Sequence, residues 1–194
     1  MIAGHFGFAA AVKARERQVP LWALMLATVW LDVVFVPLFV AKIETITPVP
    51  GTTGGYGTGI IYADYTHSLI GAIVISAIFG ALFLPRWGRR SAFVLGAVVF
   101  SHWILDLIVH RTDMPLLPRN IGNLPRFGFG LWRIPAASAT LELIFVLVGA
   151  YLYWRAARAV VLFKGSSMNR RADFAAISVL ASGIAVLALD FFST

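Results

Sequence analysis

Asp32, Asp106, Glu142 and Asp190 fall inside stretches that are otherwise apolar, and His67, His102 and His110 lie in or at the ends of the same stretches. The fourth histidine, His5, belongs to a short apolar run at the N-terminus. All 16 Lys and Arg side chains lie in the connecting segments or at the ends of the stretches. An ionised acid in mid-membrane costs at least about 2.5–3.5 kcal/mol, and no basic residue at the same depth offsets it. Either protons relieve that cost, by raising the carboxyl pKa values, or a metal cation does. Imidazole with carboxylate suits Zn, Fe, Mn or Ni, and with no cysteine in the chain soft Cu(I) fits poorly. A lone His or Asp in such a helix is often only a hydrogen-bond partner for its neighbour. A set of them at one depth reads as a shared site.

Depth follows from helix rise. Counted from the nearest basic turn at about 1.5 Å per residue, His5 stands about 15 Å up, Asp32 and His102 about 18 Å, Glu142 about 20 Å and Asp106 about 24 Å. His67 and His110 reach about 28 Å, near the opposite interface. His102, Asp106 and His110 are spaced i, i+4, i+8 and share one helix face, and a pair at i, i+4 can hold one ion. Asp190, near the outer end of its stretch, reads as an ordinary interfacial residue.

The elements that must position these residues are helices in lipid. The chain has 194 residues, 59% hydrophobic and 13% charged, with a mean hydropathy of +0.83. That excludes disorder, collagen, coiled coil and a disulfide-stapled small domain, and leaves an all-α integral membrane protein. A net charge of +7 would suggest nucleic acid in a soluble protein. Here the bases sit in short turns, where membrane topology accounts for them and no nucleic-acid partner is implied. The expected architecture is about five membrane-spanning helices, near residues 21–41, 67–84, 91–110, 135–154 and 172–192, with a metal site in the outer half of the bundle. Ile2–Val12 is about half a membrane long as a helix and reads as a short inserted or interfacial element. It makes a poor signal peptide, since Lys13, Arg15 and Arg17 follow it. No repeat or domain boundary interrupts residues 1–194.

The Lys13, Arg86 and Arg155 turns carry eleven of the basic residues against five on the alternate side. The first set is therefore expected in the cytoplasm and the C-terminus outside. Two long segments face outwards. Ile43–Thr66, with Pro48, Pro50 and Gly51-Thr52-Thr53-Gly54-Gly55, reads as irregular backbone. Arg111–Arg133 mixes prolines with Phe127, Phe129 and Trp132, a composition suited to the headgroup level.

The chain resembles a group of small bacterial integral-membrane metal-dependent hydrolases, related to the LexA-binding inner-membrane-associated hydrolase group. The likeness runs through Gly4-His5, Leu31-Asp32, Thr66-His67-Ser68-Leu69, Ser101-His102-Trp103-Ile104-Leu105-Asp106 and His110-Arg111-Thr112-Asp113-Met114-Pro115-Leu116. Phe129-Gly130-Leu131-Trp132 and Glu142 match one branch. The resemblance implies a metal site with ligands His5, Asp32, His67, His102 and Asp106, and His110 joins them by its place on the Asp106 face. Many relatives carry Pro-Asp-x-Asp-His where this chain has Leu31-Asp32-Val33-Val34-Phe35, a departure that speaks against a two-metal mechanism.

The expected function is an intramembrane hydrolase with a divalent ion, zinc first among the candidates, in the inner membrane of a bacterium. Glu142 or Asp113 would act as general base and then acid. Arg111, Arg126 and Arg133 would hold the anionic group of a lipid-linked or other small anionic substrate. A transporter or permease would use the same buried acids and histidines for ion or proton coupling. Five helices without an inverted repeat suit that plan poorly, although a homo-oligomer would supply a pathway. A metal-binding membrane subunit without turnover is the third reading.

Overall fold

The computed structural model describes residues 1–51, 57–162 and 169–192. It is mostly helical: α1 (Ile2–Arg15), α2 (Leu21–Thr28), α3 (Trp30–Val40), α4 (Leu69–Val109), α5 (Pro135–Leu162) and α6 (Asn169–Phe192). Strands β1 (Thr45–Pro48) and β2 (Gly59–Tyr62) lie between α3 and α4. Among the described residues three helices are long and apolar enough to cross a membrane, Leu69–Val109, Pro135–Ala159 and Asp173–Phe192. The bent pair α2 and α3 is a fourth when counted as one span.

At 41 residues, α4 would be about twice the thickness of a hydrocarbon core if straight. It is not straight. Gly88 has φ 75° and ψ 175°, a conformation costly for any residue with a Cβ. Beyond it the chain returns antiparallel, so that a Cβ added to Gly80 would lie 2.5 Å from the Ala92 carbonyl oxygen. The basic turn Arg86–Arg90 lies at the break and joins the two arms.

The N-terminal stretch forms α1 and packs inside the bundle, chiefly against α5 and also against α2 and α6. Its backbone touches that of α5: a Cβ on Gly7 would run into the Phe145 carbonyl, and one on Gly149 into the Gly7 carbonyl. Small residues allow this contact, as they do between closely packed membrane helices. Beyond α1, the Lys13 ammonium donates to the carbonyls of Glu16, Arg17 and Val19. Arg90 Nε pairs with Glu16 at 3.3 Å, so the first two basic turns share one end of the molecule.

The segment read as irregular between Ile43 and Thr66 is corrected by the structure. Thr45 to Pro48 pair antiparallel with Tyr62 to Gly59. Thr45, Ile46 and Thr47 oppose Tyr62, Ile61 and Ile60, residues suited to strands, a signal masked by the surrounding prolines and glycines. Most of the Gly51–Gly55 run and most of the turn between α5 and α6 lie outside the described residues.

Candidate metal centre

Four elements deliver the cluster: α1 carries His5, α3 Asp32, the segment before α4 His67, and the second arm of α4 His102 and Asp106, with His110 as its cap. α2 ends at Thr28, and the chain bends by 47° before α3. The Thr28 carbonyl at that break accepts the Nδ1–H of His102 at 2.7 Å. Asp32 sits in the first turn of α3, where the helix dipole favours a negative side chain.

Tautomers follow from the partners. Thr66 Oγ1–H donates to Glu44 Oε2 at 2.9 Å, which spends its one proton. The contact of 2.9 Å between Thr66 Oγ1 and His67 Nδ1 must then be donation from His67. Thr28 offers His102 only a carbonyl, and Asp113 Oδ1 accepts from His110 Nδ1 at 3.0 Å. With Nδ1 protonated in all three rings, the neutral form of each ring carries its lone pair on Nε2.

Those lone pairs converge. His67 Nε2 and His102 Nε2 are 3.2 Å apart. Asp32 Oδ1 lies 3.6 Å and 3.5 Å from them, and Asp106 Oδ2 3.6 Å and 3.0 Å. The result is two triangles on one shared edge. A tetrahedral ion with ligands at about 2.0–2.1 Å needs faces with sides of about 3.3–3.4 Å, so either triangle has the right size. Held Nδ1–H groups are also what orients imidazole ligands in metal sites. Two His/Asp groups, the partly buried Asp32–His67–His102 and the buried His5–His102–Asp106, could hold a metal ion. Among the described residues only histidine side chains come within 4 Å of the Asp32 and Asp106 carboxylates as potential cations.

The remaining candidates take the following places. His5 Nε2 is 3.1 Å from Asp106 Oδ1, and its ring stacks on His102 at 4.0 Å. A carboxylate offers only acceptors, so His5 donates and holds the second oxygen of Asp106. His110 Nε2 is 3.5 Å from Asp106 Oδ2, with Trp132 against its ring at 4.3 Å. Asp113 is buried, with Oδ1 on His110 and Oδ2 accepting from the Ile61 N–H. Glu142 is also buried; its Oε2 accepts from the Gly4 N–H at 3.0 Å, while Oε1 has no hydrogen-bond partner among the described residues. Asp190 is partly buried on α6.

Two of the three arginines hold a cap over the cluster. Arg126 forms a bidentate pair with Asp64 at 2.7 and 3.0 Å and donates to the Asp113 carbonyl. The hydrogen bonds to Asp64 raise the pKa of that guanidinium above its ordinary value. Arg111 donates twice to the Gly57 carbonyl, and Arg133 is exposed. The bridge between Met114 and Phe127 and the Leu69 N–H donated to Pro115 complete the closure.

Sequence reasoning missed Glu44 and the role of Thr66. Glu44 is fully buried and accepts from the Tyr65 and Thr66 amides and the Thr66 hydroxyl. A lone acid in a loop carries no hydropathy signal; only its spacing from a His-bearing turn across a hairpin could have pointed to it. Comparison of the chain with family models, curated proteins and solved structures returns no match.

Proposed function

We propose that the chain is an intramembrane metal-dependent hydrolase of the bacterial inner membrane. In this reading it crosses the bilayer five times, the two arms of α4 counting separately, with the Lys13 turn in the cytoplasm and the C-terminus outside. The cluster then lies in the outer half. One observation carries the proposal: the Nε2 atoms of His67 and His102 face each other at 3.2 Å between two carboxylates. One proton can bridge a single pair of these atoms, whereas a divalent cation accepts lone pairs from all of them. The resemblance to the membrane metal-dependent hydrolases supports the same reading. Zinc suits the nitrogen and oxygen donors best.

When bound, the ion would act as a Lewis acid, polarising a substrate oxygen and acidifying water. Asp32, His67, His102 and Asp106 would hold it, His5 would fix the second oxygen of Asp106, and Asp113 would orient His110. Glu142 is the proposed general base and then acid, because one of its oxygens remains unbonded while both Asp113 oxygens are engaged. Arg133 would meet the anionic group of a lipid-linked substrate, while Arg111 and Arg126 hold the cap.

Metal analysis of protein purified without added metal tests the centre. A bound divalent ion is expected, lost from His102→Ala and Asp106→Ala; wild-type content in both variants overturns the assignment. Turnover is read with the zinc-loaded protein on fluorogenic amphiphiles bearing carboxylic-ester, phosphomonoester or phosphodiester bonds. Glu142→Gln should keep the metal and lose about 10²–10⁴-fold in rate; an unchanged rate removes Glu142 from the mechanism.

The break between α2 and α3 beside Asp32 favours a second reading, since interrupted helices line ion sites in transporters. Uptake of zinc or protons into proteoliposomes, abolished in Asp32→Asn, would support it. Metal binding with neither uptake nor turnover would leave the non-catalytic subunit.

A further inference from the structure

We infer that the centre opens sideways into the outer-leaflet hydrocarbon past α3, and takes a reacting group carried on an apolar chain. The inference rests on the metal-centre reading. His5, His67, His102, Asp106 and His110 are all at most 4% exposed, yet the Asp32 side chain keeps 40% of its surface. The cluster thus has one uncovered edge, and it belongs to α3.

That edge borders hydrocarbon. Val36 and Phe39 follow Asp32 at i+4 and i+7, with Val40 beside them, and all three are exposed, Val40 at 75%. Asp32 is the only charged residue of α3. Phe35 stands edge-on to the His67 ring at 6.2 Å and stacks on Phe39 at 5.5 Å, so aromatic surface flanks the opening. α3 packs mainly on α4 and touches α2. Towards the outer loops the cluster is closed by the Arg126–Asp64 pair, the Asp113–Ile61 bond and Trp132 over His110. A polar solute arriving from water meets the closed cap. An amphiphile can lay its chain along Val36, Phe39 and Val40 and bring its head to Asp32.

The test uses zinc-loaded protein in lipid nanodiscs, with both water faces accessible. Neutral 1,10-phenanthroline partitions into hydrocarbon; its disulfonated diphenyl derivative, with the same chelating unit, does not. We expect the neutral chelator to strip the metal at least tenfold faster, and Val36→Trp to slow only that reaction. A long-chain monoalkyl phosphate in the bilayer should protect the metal, and inorganic phosphate in the water should not. Equal stripping by both chelators, or equal protection by inorganic phosphate, overturns the lateral opening while leaving the metal centre standing. Failure to bind any divalent ion overturns the centre, and this inference with it. The wild-type comparison reads the result even if Val36→Trp does not fold.

Discussion

Thr66 does for His67 what the Thr28 carbonyl does for His102. Its single hydroxyl proton goes to Glu44, so its lone pair takes the Nδ1–H of His67 and leaves Nε2 free to bind. Thr66→Val keeps the shape and removes that acceptor. Metal affinity is expected to fall about 10–100-fold, as for other partners of metal-bound histidines, and Thr66→Ser should restore it. Titration of both variants with Co(II), followed by its visible absorption, checks this; a wild-type affinity for Thr66→Val would remove Thr66 from the site. The charged members of the cluster were legible in the sequence because a His or Asp within an apolar run contradicts its surroundings. Thr66, Glu44 and the Thr28 carbonyl contradict nothing locally. They matter only through hydrogen bonds between segments distant in the chain.

At the scale of elements, α1 is half the length of a span and is held in the bundle by its contact with α5. The Gly7–Phe145 and Gly149–Gly7 contacts leave no room for a methyl group. Gly7→Ala and Gly149→Ala should each destabilise the fold by about 1–3 kcal/mol through overpacking. Because His5 and the Gly4–Glu142 bond ride on α1, both variants should also bind metal more weakly. Thermal unfolding in detergent, followed by helical circular dichroism, reads the first effect; unchanged melting in both variants would mean that the two backbones do not touch. The short apolar run could be recognised as a helix, but the choice between lying flat and packing into the bundle depended on Gly149 in α5, more than a hundred residues away. The β1–β2 pairing was hidden for a similar reason. Its strand-forming residues are few, and their partners lie on the far side of a glycine-rich turn.

For the whole molecule, metal and fold are linked. A ligand that binds only the folded state stabilises it by about 2.7 kcal/mol at a hundred times its Kd. Zinc should therefore raise the melting temperature of the wild-type protein and leave His102→Ala unaffected. Protons compete for the same nitrogens, so the zinc-induced shift should shrink as the pH falls. A shift independent of pH, or equal in His102→Ala, would place the zinc elsewhere.

Composition and spacing were enough to determine a mostly helical chain with helices long and apolar enough to cross a membrane, its hairpin at Arg86–Arg90, and a set of acids and imidazoles that had to share a remedy for their burial. These are consequences of hydropathy and helix rise, which act along the chain. Which nitrogen of each ring faces inward, what the arginines hold, and which edge of the cluster stays open were settled only by the fold. Hydrogen bonds and close packing act between segments, and a linear pattern carries no record of which segments meet.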